Sequence, residues 1–221
     1  MRQIPLDLPV DAARARDDLI ASPANRQAIE FIDAWPDWPG PVAVLAGPVG
    51  SGKSHMAGIW AERAGAHVVD MSGLEEPGTA TGEWSAVVLE DARPGGIPET
   101  ALFHLINHLR ATGGHCLITS REWPTAWRVA LPDLASRLRA AQLVELAEPD
   151  DELLRQVIVK LFADRQIVID PGVVEYLATR MERSLGAAGR LVAEIDREAL
   201  SRNIRPSRSV AATALKRLAM A

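Results

Sequence analysis

At 221 residues the chain is long enough to bury one good core and a small second domain, and its 48% hydrophobic and 24% charged residues exclude a disordered or fibrous protein. No apolar run approaches the ~20 residues of a membrane-spanning helix, and Met1-Arg2-Gln3-Ile4-Pro5-Leu6-Asp7 lacks the apolar stretch of a signal peptide. The net charge is −5 and a single cysteine excludes an internal disulfide, so the expected setting is a reducing cytoplasm with no membrane contact.

In chain order, residues 1–12 read as an extended tail in which Pro5 and Pro9 discourage helix, and Ala12 to Asp33 as helical apart from Ser22-Pro23. A tryptophan and proline loop, Trp35 to Pro41, comes next. Strands are predicted at Val42 to Ala46, His67 to Met71, Ala86 to Glu90, Cys116 to Thr119 and Leu143 to Leu146, with helices between them, notably Ser54 to Ala64 and Glu99 to Ala111. Alternating strands and helices imply a parallel sheet covered on both faces. From Pro149 onward the strands stop, and Asp150 to Asp164, Pro171 to Arg183, Ala187 to Asn203 and Ser207 to Ala219 read as amphipathic helices. The expected organisation is a tail (1–12), an α/β domain (13–148) and a small helical domain (149–221).

Charge follows this division. Residues 1–179 hold 15 basic and 25 acidic side chains, whereas residues 180–221 hold 9 basic and 4 acidic. An acidic body argues against autonomous duplex binding, which needs a broad basic face. The basic C-terminal segment reads as a solvated helix surface or as a contact for nucleic acid or an acidic partner.

The chemistry is concentrated in Gly47-Pro48-Val49-Gly50-Ser51-Gly52-Lys53-Ser54, which fits the phosphate-binding pattern GxxxxGK[ST] between a strand and a helix. Gly47, Gly50 and Gly52 let backbone amides wrap an anion at a helix N-terminus, with Ser51 inside the loop and His55 just after it. Lys53 would reach the β- and γ-phosphates of ATP, or the β-phosphate of ADP, and the Ser54 hydroxyl would ligate Mg²⁺. A glycine-rich structural turn is the alternative. About 40 residues on, Ala86-Val87-Val88-Leu89-Glu90-Asp91 is an apolar strand ending in two acids, where Glu90 would organise Mg²⁺ through water and Asp91 orient an attacking water.

These segments, followed by Leu117-Ile118-Thr119-Ser120-Arg121, Leu134-Ala135-Ser136-Arg137-Leu138 and Gly189-Arg190-Leu191, are similar in order and spacing to the AAA+ module of the DnaA replication initiators over residues 15–219. The resemblance implies an α/β P-loop NTPase with a helical lid. It makes Thr119 and Ser120 the sensor 1 positions, Arg137 an arginine finger acting in trans, Arg190 the sensor 2 arginine on the nucleotide, and the segment around Asn25 a neighbour of the adenine. The family's first acid is usually Asp, so Glu90 followed by Asp91 departs from it; the longer side chain can keep Mg²⁺ while water positioning suffers.

DnaA proteins continue into a helix-turn-helix domain beyond the point where this sequence stops, and Gln3, Ile4, Pro5, Leu6 and Leu8 resemble the peptide that docks on the bacterial sliding clamp. Together these features resemble the Hda family of DnaA-inactivating regulators. That resemblance implies two partners, the β clamp of DNA polymerase III and DnaA, with DNA reached through the clamp, bound ADP supporting the active form and homo-oligomers possible. Two other readings stay open at this stage: a DNA-binding initiator or helicase-loading adaptor, and a small P-loop kinase. His104 and His108 share a helix face without a third ligand, Cys116 reads as a buried inert thiol, and Trp35, Trp38, Trp123 and Trp127 as packing residues.

Overall fold

The computed structural model describes Arg16, residues 19–75 and residues 83–219. Its chain contacts divide the described residues into two compact units, one of Arg16 with Pro23–Ala147 and the other of residues 19–22 with residues 148–219.

The first unit is built on a five-stranded sheet of β1 (Val42–Ala46), β2 (His67–Asp70), β3 (Ala86–Ala92), β4 (His115–Ser120) and β5 (Gln142–Glu145). All pairings are parallel, in the order β2-β3-β4-β1-β5. Every residue of β1 is buried, as expected of an apolar strand covered on both faces, whereas the edge strands β2 and β5 keep exposed positions. Helices α1 (Arg26–Asp33), α2 (Lys53–Ala64), α3 (Glu99–Thr112) and α4 (Pro132–Arg139) belong to this unit. One face of the sheet packs Val44, Leu89 and Ile118 with Leu102 and Leu105 of α3, Leu134 of α4 and Trp127.

The second unit holds α5 (Asp151–Ala163), α6 (Pro171–Ala178), α7 (Leu185–Arg202) and α8 (Arg208–Ala219) around Ile158, Phe162, Leu177, Leu191, Ile195 and Ala211. Three of its helices open on capping side chains: Asp150 accepts from Leu153 N, Asp170 from Gly172 N and Ser184 from Ala187 N. Among the described residues, no helix is long and apolar enough to cross a membrane.

Four expectations are corrected. The helix expected from Ala12 is absent over residues 19–25 and begins at Arg26, because Asn25 (φ −130°, ψ −4°) stands outside helical geometry behind Pro23. The helix expected to reach Arg183 ends at Ala178. There the Thr179 hydroxyl donates back to Glu175 O (2.9 Å), and Ser184 caps the next helix. Helix α4 has no counterpart among the predicted elements, its Pro132 taking the first helical turn where a missing N–H costs nothing. Strand β3 runs on to Ala92, so the two acids lie inside the strand rather than at its tip. Gln3, Ile4, Pro5, Leu6 and Leu8 lie outside the described residues.

Candidate functional site

The carboxyl ends of β1, β4 and β3 lie side by side in the sheet, and each delivers a polar group. From β1 the chain passes through Gly47 into the loop and then into α2. A methyl group on Gly47 would meet the Leu146 carbonyl oxygen at 2.2 Å, so only glycine lets the loop leave the sheet here. Leu146 N donates to Ala46 O (2.8 Å) and Ala147 N to Ala24 O (3.1 Å), which brings the Asn25 segment to the same end of the sheet as the loop. Asn25 is 5% exposed.

Gly50 (φ 79°) and Gly52 (φ 102°) take left-handed backbone, and Gly52 caps α2. Buried Ser51 turns its hydroxyl onto Pro48 O (3.0 Å). The Lys53 ammonium donates to Gly47 O and Pro48 O, both at 2.7 Å, so it lies across the loop mouth rather than out in solvent. Burial pushes its pKa down, aided by Arg121 and opposed by Asp91 and Glu90. His55 follows in the first turn of α2 and is half-buried.

Glu90 is the hub. Its Oε2 accepts from the Ser54 hydroxyl (3.0 Å) and from the Thr119 hydroxyl (2.7 Å), and Thr119 Oγ1 in turn accepts from Asp91 N (3.0 Å). Residues 36 and 29 positions apart in sequence thus converge on one carboxylate oxygen. Hydroxyl and carboxylate are hard oxygen donors of the kind Mg²⁺ selects. No group of three or more His, Cys, Asp or Glu side chains able to hold a metal exists among the described residues, and Ser54 and Glu90 are the oxygen donors here that could face such an ion.

Strand β3 changes register here. Leu89 pairs with Ile118 and Ala92 with Ser120, three steps against two, which is a bulge at Glu90-Asp91. Asp91 sits at its centre with φ 61° and forms an ion pair with Arg93. That guanidinium holds the Asp91 carboxyl below the usual range, with Arg121 and Lys53 acting in the same direction.

Ser120 is turned elsewhere. Its buried hydroxyl donates to Ala92 O (2.8 Å) and accepts from Trp127 Nε1 (3.1 Å) and Glu122 N (3.2 Å). Successive strand residues face opposite sides, so only Thr119 meets Glu90. Arg137, in the last turn of α4, lies with its guanidinium 4.9 Å from the Phe103 ring centroid and takes part in none of the loop's hydrogen bonds. Arg190 belongs to the helical unit, exposed on α7 and 4.0 Å from Glu182. Arg93 and Arg121, which set the electrostatics around Asp91, were not among the predicted site residues. The only sequence signal for them is a basic residue directly after each polar strand end.

Neither a protein-family model nor a curated protein matches the sequence. Solved structures do match. Domain III of the replication initiation protein DnaA from Thermotoga maritima superposes with a TM-score of 0.76 at 17% identity, covering 95% of this chain and 98% of that one. DnaA from Aquifex aeolicus bound to AMPPCP gives 0.69 at 19% identity over 87% of this chain and 69% of that one. The Holliday junction branch migration motor RuvB from Thermotoga maritima gives 0.64 at 18% identity over 80% of this chain and 61% of that one. The chain has the AAA+ fold, a parallel P-loop α/β sheet followed by a small all-α domain.

Proposed function

We propose that this AAA+ chain binds ATP or ADP with Mg²⁺ at the Gly47–Ser54 loop and acts as a negative regulator of replication initiation. It docks on the DNA polymerase III sliding clamp through its N-terminal peptide and stimulates hydrolysis of DnaA-bound ATP through Arg137. The observation that carries the nucleotide reading is the convergence of Ser54 and Thr119 on Glu90 Oε2 beside Lys53, at the carboxyl edge of a sheet shared with DnaA, a protein solved with AMPPCP bound. The loop amides and Lys53 would hold the phosphates, Ser54 and Glu90 would hold Mg²⁺, and the bound ion would supply charge neutralisation between phosphate oxygens. Asn25 would line the base.

The regulatory half of the reading rests on sequence resemblance and on the half-buried Arg137. A guanidinium offered to a neighbour's site stabilises charge on the transferring phosphoryl group, an effect of about 10³ to 10⁵ in rate. A second reading is favoured by the Phe103 contact, in which Arg137 packs α4 against α3 and does nothing in trans. The two separate cleanly. If the finger is correct, Arg137→Ala folds, binds nucleotide and binds the clamp, yet fails to stimulate ATP-to-ADP conversion on DnaA at matched clamp occupancy. Lysine rescues poorly, because a point charge does not reproduce the planar fork. A near-normal rate with alanine removes the finger and leaves the packing role. Alanine at Gln3, Leu6 and Leu8 abolishes clamp association in a sedimentation assay without changing nucleotide affinity; retained association refutes the tether.

A further inference from the structure

Asp91, the carboxylate that the sequence reading assigns to orienting water, is ion-paired with Arg93. Two backbone devices arrange this. The β3 bulge puts Asp91 at φ 61°, a left-handed conformation that Asp tolerates better than most residues. Arg93-Pro94-Gly95-Gly96 then closes a tight turn in which Gly96 N donates to Arg93 O (3.1 Å) and Gly95 has φ 74°, the geometry of a type II turn with Pro and Gly at its centre. Bulge and turn bracket Arg93 so that its guanidinium folds back onto Asp91 Oδ2. Arg93 makes no other hydrogen bond to a described side chain and is 61% exposed, so it carries no packing load.

Resting on the nucleotide reading above, we propose that Arg93 is a built-in restraint on this chain's own ATP hydrolysis: it engages the Asp91 carboxylate that would otherwise receive and orient the attacking water. In the reaction being restrained, the water oxygen bonds to the γ-phosphorus, the bond from that phosphorus to the bridging oxygen breaks with its electron pair leaving on ADP, and the water's proton passes by way of the Asp91 carboxylate to solvent, giving ADP and inorganic phosphate. Binding is not restrained, because Arg93 makes no hydrogen bond to Lys53, Ser54, Glu90 or the loop backbone. A regulator that must keep its nucleotide while acting on a partner's gains from such an arrangement. The restraint is modest, since a largely exposed pair competes with water for both partners.

The test is single-turnover ATP hydrolysis by the full chain at saturating ATP and Mg²⁺, with affinity for ATP measured in parallel by calorimetry. Arg93→Ala is expected to hydrolyse roughly two- to fivefold faster than the parent, the range an exposed ion pair can supply, with affinity unchanged. Arg93→Lys, which keeps a cation within reach of Asp91, returns the rate toward the parent's. In an Asp91→Asn background Arg93→Ala gives no gain. The proposal is overturned if ATP binds normally and Arg93→Ala gives no acceleration, if the acceleration persists in Asp91→Asn, or if lysine accelerates as much as alanine. A parent chain that binds no ATP overturns the nucleotide reading itself, and this one with it.

Discussion

The two ends of the sheet are made of opposite materials. At the amino ends of β1 and β4, Trp38 stacks on Trp60 with ring centroids 5.0 Å apart and on Phe31 at 4.6 Å, while His115 meets the edges of Trp35 and Trp38 at 6.2 and 5.6 Å. The indole N–H groups of Trp35 and Trp60 are buried here with no acceptor among the described residues. The carboxyl end is polar: Ser54 and Thr119 donate to the Glu90 carboxylate, Arg93 pairs with Asp91, Lys53 donates to loop carbonyls, and exposed Val49 tips the loop. Aromatic packing therefore gathers at one end and polar chemistry at the other. Each can be perturbed without the other, and that separation is what the following variants break or sharpen.

The largest effect on stability is expected at Trp60, which is fully buried. Trp60→Ala should cost about 3 to 5 kcal/mol in denaturant unfolding, while the folded fraction keeps the parent's nucleotide affinity. Trp60→Phe keeps the stack and removes a buried donor that lacks a partner, so its cost should stay below about 1.5 kcal/mol. A variant that lost nucleotide binding in proportion to stability would show that the two ends are coupled after all.

Gly47→Ala is expected next, and it crosses the divide because the added methyl strikes backbone at 2.2 Å. The loop must shift, costing about 1 to 3 kcal/mol and weakening ATP binding together with Tm. Thr119→Ala removes two partly buried hydrogen bonds, to Glu90 Oε2 and from Asp91 N, and should cost about 1 to 3 kcal/mol and slow hydrolysis by loosening Glu90. Ser120→Ala should lower stability through the lost clasp on Trp127 and Ala92 while hydrolysis and nucleotide affinity stay normal; loss of affinity there would place Ser120 in the site.

Neighbouring hydroxyls with opposite duties also show how far the sequence could be read. The loop pattern, the strand–helix flanks and the acidic end of β3 are local signals, and each found its place because parallel strands bring their carboxyl ends together whatever lies between them. Thr119 and Ser120 were chemically equivalent on paper; strand alternation decides between them, but only once the face toward Glu90 is known. The bulge at Asp91 leaves no mark in composition, because any residue can be the extra one. Arg93 carries no signal because an arginine after a strand is ordinary, and its meaning depends on a backbone path set by Pro94 and Gly95. Helix α4 was missed because Pro132, a breaker in mid-helix, is a starter in the first turn.

The smallest expected effect lies at the aromatic end. Burial lowers the His115 pKa below its ordinary value near 6.5. Between the folded and unfolded values the unfolded chain binds more protons, so stability falls as pH drops through about 6.5 and the loss levels off below the folded value. Melting between pH 7.5 and 5.5 should therefore show a shallow decline that His115→Gln reduces, with ATP affinity following no such trend.

The most direct measurement is a calorimetric titration of ATP and of ADP, with Mg²⁺, into the parent chain and into Lys53→Ala. The parent should bind at a single site, and Lys53→Ala should keep its fold, with melting of the Trp60 end unchanged, while losing most of that affinity. Equal affinity in the two proteins, or no binding by the parent, would contradict the assignment of the carboxyl end of the sheet as a nucleotide site.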